Sequence, residues 1–249
     1  MKNEIILWLS SLVIIFLLGY VKNVTDSDYP ITGTFGIEGK RVSYKMDKIS
    51  FDKISYKNII ISDIKGINAR LIIENGDERD EIPYKEIDRG LEVEILKLKP
   101  GQQLRYKTII IHKDHIFEIP QNDFVTLTFW SYIPSPVKIL YFIILCGGML
   151  VSMRSLLELF NENKNLKKYA FITSTLFITL NIIIYPLYNS YKLGAINNFV
   201  PPITNLVNPM LLTILFLWVI GTILIFNKIY IKSVTIIISV ATIMGFFFI

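Results

Sequence analysis

The chain has 249 residues, of which 52% are hydrophobic and 19% are charged. Its single cysteine, Cys146, excludes a disulfide framework and a cysteine-based metal site. Residues 22–136 hold 17 Lys and Arg against 18 Asp and Glu, so the net charge of +5 comes from the rest of the chain. That distribution argues against a nucleic-acid footprint and indicates apolar membrane segments joined to a charged domain.

The first apolar run is Ile5–Val21, which follows Lys2 and Glu4. It could be a cleaved signal peptide or a retained signal-anchor helix. At 17 residues it is longer than the apolar core of most signal peptides, and residues 19–22 lack a small-x-small cleavage pattern. We therefore predict that residues 1–21 form a retained signal-anchor helix with its amino terminus in the cytoplasm.

Residues 22–136 change from a helical to a two-residue periodicity. Apolar and polar residues alternate over Arg41–Met46, Leu91–Leu96 and Val125–Phe129, which is the pattern of strands with one buried face. Glycine-containing turn signals separate these stretches. The pattern predicts an all-β domain of roughly eight strands, an antiparallel sandwich or a small barrel, inserted between the first two membrane spans.

The two histidines of the chain stand on either side of a possible hairpin turn, Lys113-Asp114. Such a turn would make His112 and His115 cross-strand neighbours, with Cβ atoms about 4.5–5.5 Å apart. Two imidazoles could contribute to a zinc or copper site, but two ligands do not complete one. We favour a solvated hairpin end and predict no cofactor, which leaves His112 and His115 as weak metal candidates.

Residues 137–249 are predicted to form a four-span membrane domain, which makes five spans in all. The spans are assigned to the apolar runs Val137–Met153, Tyr169–Tyr185, Pro209–Phe226 and Ser233–Ile249. Loop 154–168 carries four basic and two acidic residues, so the positive-inside rule places it in the cytoplasm. Residues 22–136, the loop 186–208 and the carboxyl terminus are then outside.

The predicted spans contain no ionisable side chain at depth, which would otherwise mark an ion or proton path. The third span carries a stripe of hydroxyl and amide side chains. We expect these to form hydrogen bonds between helices rather than to line a transport path. The stripe consists of Thr173, Ser174, Thr175, Thr179 and Asn181.

A candidate interface lies where the β domain meets the outer loop. Trp130 and Tyr132 end the domain, and loop 186–208 has Lys192 as its one charged residue. An exposed apolar loop needs cover from the domain, from lipid or from a partner. We therefore predict that domain and loop together form the functional surface; the alternative is a loop that lies in the lipid interface. The apolar loop candidates are Leu193, Ile196, Phe199, Val200 and Ile203.

These features favour an integral protein of the cell membrane, inner or plasma, whose partners are the lipid bilayer and other membrane or envelope proteins. A catalyst needs converging nucleophiles, bases or metal ligands, whereas this chain has two histidines and no predicted buried charge. The leading hypothesis is therefore a non-enzymatic binding or scaffolding subunit. The alternatives are a membrane enzyme that acts on a lipid-linked substrate at the outer interface and an accessory transport subunit.

Overall fold

The computed structural model describes residues 2–51, 54–64, 66–75, 78–113, 115–121, 123–161, 165–196 and 198–249. The chain divides into two compact units. The helical unit consists of Met1–Thr25, Ile133–Tyr191 and Ala195–Ile249. The β unit consists of Asp26–Tyr132 and Lys192–Gly194, so a short piece of the predicted outer loop belongs to it.

The first three helical stretches of the helical unit are longer than the apolar runs that predicted them. Its elements are α1 (Lys2–Thr25), α2 (Ser135–Leu157) with a 3₁₀ turn over Glu158–Phe160, α3 (Leu166–Thr179) with a π-helical segment over Leu180–Ile184, α4 (Tyr185–Lys192), α5 (Ile203–Leu206), α6 (Pro209–Phe226) and α7 (Ile231–Phe246).

Four helical stretches in the described part of the chain are long and apolar enough to cross a membrane, which indicates a membrane protein. They are Glu4–Thr25, Ser135–Phe160, Leu166–Lys192 and Pro209–Phe226. Helix α7 is apolar but shorter, with 16 residues, so the fifth span stays a prediction.

The third of these stretches continues past Pro186, where the sequence had predicted a loop. A proline lacks an N–H group and its ring crowds the preceding turn of an α-helix. Here the backbone widens just before it, and the Tyr185 N–H donates to the Leu180 carbonyl five residues back. This π-helical turn accommodates the proline, so the helix runs on to Lys192.

Polar side chains join the helices inside the unit. Ser174 Oγ donates to the Trp218 carbonyl at 3.0 Å, and Asn181 Nδ2 donates to the Leu211 carbonyl at 3.2 Å. The interhelical bonds predicted for the third span are therefore confirmed at these two residues. They are wrong for three others, whose hydroxyls donate to carbonyls of their own helix: Thr173, Thr175 and Thr179.

Gly148 and Gly221 allow close packing of the helices. A Cβ atom on Gly148 would lie 3.2 Å from the Phe177 ring, and one on Gly221 would lie 2.8 Å from Ile238 Cδ1. Cβ atoms in proteins essentially never lie within 3.0 Å of such an atom, so a side chain at position 221 would force Ile238 to shift. Both glycines therefore let a backbone approach a large apolar side chain on the next helix.

The β unit contains eleven strands among the described residues, more than the roughly eight predicted. They are β1 (Ile31–Ile37), β2 (Lys40–Met46), β3 (Ile49–Ser50), β4 (Ser55–Ser62), β5 (Asn68–Asn75), β6 (Glu78–Pro83), β7 (Lys85–Ile87), β8 (Gly90–Leu96), β9 (Gln103–His112), β10 (His115–Ile119) and β11 (Val125–Phe129). Very short strands such as β3 and β7 leave no alternation to detect in the sequence.

The strands form two sheets. One has five strands in the order β1-β2-β4-β8-β7, and the other has the order β3-β11-β9-β5-β6 with β10 also paired to β9. The prediction of antiparallel pairing is wrong at one place, because β3 and β11 run parallel. β3 has only two residues, and its partner β11 is far away in the sequence. No local sequence pattern could therefore have predicted this pairing.

Apolar side chains from both sheets form a single core, with buried polar groups inside it. Tyr56 on β4 and Tyr106 on β9 pack with ring centroids 6.2 Å apart. The Tyr106 hydroxyl donates to the Asp47 carbonyl at 2.9 Å, and the Tyr84 hydroxyl donates to Asn58 Oδ1 at 2.8 Å. Burial raises the pKa of the Tyr84 and Tyr106 hydroxyls, so both stay protonated donors.

We expect a soluble fragment of residues 26–133 to fold without the helices, because its core is contributed by its own two sheets. Circular dichroism should show a strand spectrum and a cooperative thermal transition. The substitution Leu71→Ala, at a fully buried core position, should lower the free energy of unfolding by about 2–5 kcal/mol. A disordered spectrum of the unsubstituted fragment would contradict this expectation.

Candidate functional site

Strand β1 forms an open edge of the five-stranded sheet. Its hairpin with β2 turns at Glu38 and Gly39, whose φ angles are +50° and +76°. Ile37 pairs with Lys40 across this two-residue turn, and pairs that flank such a turn exchange hydrogen bonds. Every second residue from Ile37 then bonds to β2. The residues between them, Thr32, Thr34 and Gly36, direct their N–H and C=O groups to the open edge.

The other edges of the two sheets are short or charged, as natural sheet edges commonly are. β3 has two residues and β7 has three. β6 carries Arg79, Asp80 and Glu81 and ends at Pro83, and β10 carries Glu118. In contrast, β1 has seven residues with the sequence ITGTFGI, which contains no charge and no proline. It is therefore the least protected edge in the described β unit.

An unpaired cation lies beside this edge. Arg41 on β2 stands opposite Gly36 in the register, and it is exposed. Among the described residues it makes no ion pair and no side-chain hydrogen bond, whereas the neighbouring Lys45 lies 2.8 Å from Asp47. Because Gly36 has no side chain, the β1 residue directly opposite Arg41 does not cover it.

The histidine pair has the predicted hairpin geometry, with His112 opposite His115, although Asp114 lies outside the described residues. His115 is exposed, but His112 is buried, so a solvated end describes only His115. His112 Nε2 lies 3.6 Å from Glu38 Oε2. The adjacent Lys113 lowers the pKa of the Glu38 carboxyl. Within the described ranges, no group of three His, Cys, Asp or Glu could hold a metal ion.

Among the predicted interface residues, Trp130 meets the piece of outer loop that belongs to the β unit. Lys192 Nζ lies 4.3 Å from the Trp130 ring centroid, and the Ser131 N–H donates to the Lys192 carbonyl at 2.9 Å. The contact therefore runs through the one charged residue of the loop, by a cation–π interaction. Tyr132, Phe199, Val200 and Ile203 are exposed, while Leu193 and Ile196 are partly buried.

The helical unit contains a buried ion pair where the sequence predicted a cytoplasmic loop. Helix α2 extends through Arg154, and Glu158 follows at the i+4 position in the 3₁₀ turn. Both side chains are 0% exposed and form an ion pair. The expectation that the chain has no buried charge was therefore wrong. Two opposite charges one helical turn apart can neutralise each other, so the helix continues where the sequence suggested an end.

Aromatic rings and backbone groups enclose this pair. The Arg154 guanidinium lies 4.7 Å from the Tyr169 ring and 5.7 Å from the Trp8 ring. Glu158 Oε1 accepts a hydrogen bond from the Asn165 N–H at 3.0 Å. The pair on α2 therefore contacts α1 through Trp8 and α3 through Tyr169 and joins three helices.

The sequence was compared with protein-family models, with curated proteins and with solved structures, and none of the three comparisons finds a match.

We predict that Arg154→Met will destabilise the helical unit by about 3–5 kcal/mol, because it leaves the Glu158 carboxylate buried without its counter-charge. The double substitution Arg154→Met with Glu158→Leu should recover most of this loss, since it removes both charges. Unfolding in detergent micelles would measure both. A double variant less stable than Arg154→Met would contradict the prediction.

Proposed function

We propose that the chain is a non-enzymatic binding subunit of a membrane or envelope complex, in which the β unit is a β-sandwich that recruits another protein. The observation that carries this proposal is the open β1 edge, seven residues long and without a charge or a proline. Edges of this kind pair readily with other chains, and proteins that do not use them usually blunt them. The remaining edges of the β unit are blunted in this way.

The proposal includes a retained signal-anchor helix. Trp8 covers Arg154, and Asn165 Nδ2 donates to Glu4 Oε1 at 3.3 Å. At the other end of α1, Lys22 Nζ donates to the Phe246 carbonyl at 2.9 Å. Removal of α1 would expose the buried ion pair and leave the end of α7 without this donor. These contacts support α1 as a permanent part of the helical unit.

The proposed orientation places the amino terminus in the cytoplasm and the β unit outside it, with five spans in the cell membrane. Because the Arg154 charge is neutralised by Glu158, it no longer counts toward the positive-inside asymmetry. The lysines of loop 154–168 and of residues 227–232 still favour the cytoplasm for that side. Lys167 Nζ donates to the Phe226 carbonyl at 3.1 Å. The start of α3 and the end of α6 therefore lie at the same end of the helical unit.

The orientation predicts opposite labelling of two exposed positions in a Cys146→Ser background. Glu86→Cys, in the β unit, should react with a membrane-impermeant maleimide in intact cells. Lys168→Cys, at the start of α3, should react only after the cells are permeabilised. Labelling of Lys168→Cys in intact cells would reverse the proposed topology.

The binding function is tested by purification of the tagged full-length chain from its own membranes in mild detergent. We expect it to elute in a complex with a second membrane or envelope protein in a reproducible ratio, identified by mass spectrometry. The control variant Lys107→Ala carries its substitution on β9, away from β1, and should recover the same complex. Elution of the unsubstituted chain without a second protein would contradict the proposed function.

A further inference from the structure

We infer that β1 binds an extended segment of a partner protein, which adds a sixth strand to the five-stranded sheet and carries an acidic side chain that pairs with Arg41. This inference rests on the proposed binding function and specifies where the partner binds and what chemistry it presents. It concerns the β unit alone.

The backbone of β1 determines the form of the ligand. Thr32, Thr34 and Gly36 direct alternating N–H and C=O groups to the open edge, as the register across the two-residue turn requires. No backbone group elsewhere in the described chain bonds to this edge. A second strand is the ligand that matches such an alternating row, and strand addition to sheet edges is a recurrent form of peptide recognition.

The side chains around the edge determine the chemistry of the ligand. On the outward face, Thr32, Thr34 and Gly36 are small and uncharged, and cross-strand Thr pairs stabilise neighbouring strands. Arg41 lies beside Gly36 on the next strand, and Gly36 places no side chain between it and an added strand. A carboxylate on the ligand opposite Gly36 would therefore meet an unpaired guanidinium, which favours charge-assisted, bidentate hydrogen bonds.

A second copy of this chain satisfies the backbone but not the charge. Antiparallel pairing of two β1 strands about Thr34 would place Thr32 of each copy opposite Gly36 of the other. Because β1 contains no Asp or Glu, neither Arg41 would gain a carboxylate. The observations therefore favour a partner of different sequence that bears an acidic residue.

The experiment introduces a photo-crosslinking amino acid into the full-length chain in its own membrane, at Thr34 in one version and at Thr126 in another. Thr126 is the matched control, because it is also an exposed threonine on a strand but lies on β11, which pairs with β9 at this position and belongs to the other sheet. We expect a crosslink to a second protein from position 34 and none from position 126. A position-34 crosslink only between copies of this chain would overturn the inference.

Two pairs of variants then test the recognition chemistry. Thr34→Pro removes an N–H that points to the open edge and spares the bonds to β2, whereas Thr34→Ala keeps the backbone unchanged. We expect recovery of the partner to fall at least tenfold for Thr34→Pro and to stay at the original level for Thr34→Ala. Likewise, Arg41→Glu should lose the partner while Arg41→Lys retains part of it.

The outcomes separate the inference from the proposed function. Undiminished recovery with both Thr34→Pro and Arg41→Glu would overturn the inference and leave the binding function in place. Failure of the unsubstituted chain to recover any protein would overturn the function itself. If Thr34→Pro does not fold, as judged by its thermal transition, Arg41→Glu decides alone, because Arg41 is exposed and makes no ion pair or side-chain hydrogen bond among the described residues.

Discussion

Hydrogen bonds and an ion pair between buried polar groups join the helices of the helical unit. In a bilayer no water satisfies a backbone group, so each irregularity of a spanning helix must be compensated locally. The π-helical turn before Pro186 does this for the backbone, and the bonds of Ser174 and Asn181 to α6 do it for side chains. The Arg154–Glu158 pair extends the same rule to charge, since each residue supplies the counter-charge that burial of the other requires.

The β unit differs, because water can form hydrogen bonds with polar groups at its surface that the protein leaves unpaired. Three of its interior polar residues are paired, since Tyr84, Asn58 and Thr108 form a chain of hydrogen bonds within the core. The ring nitrogens of the buried His112, in contrast, have no hydrogen-bond partner among the described residues. Its β1 edge leaves a row of backbone groups and the nearby Arg41 side chain without partners among the residues that the structure describes. This long, uncharged edge could accept another strand, and that possibility is the basis of the proposed function.

The sequence predicted the helices and the alternating strands because both produce a regular spacing of apolar residues that is visible within a short stretch of sequence. It located α6 at Pro209–Phe226, and it placed His112 opposite His115. It missed the continuation of helices through Arg154 and Pro186. In a short stretch of sequence, a charged residue or a proline after an apolar run indicates the end of a spanning helix. It also missed the β1 edge, since which strand lies outermost depends on pairings between distant segments such as β4 with β8.

The central claim, that β1 receives a strand, is tested most directly by amide hydrogen exchange of the chain with and without its co-purified partner. In the free chain, the amides of Gly33 and Phe35 should be protected by β2, while those of Thr32, Thr34 and Gly36 exchange rapidly. With the partner bound, the account predicts that these three amides become protected, while the amides of the charged edge β6 do not change. Rapid exchange of Thr32, Thr34 and Gly36 in the complex would contradict it.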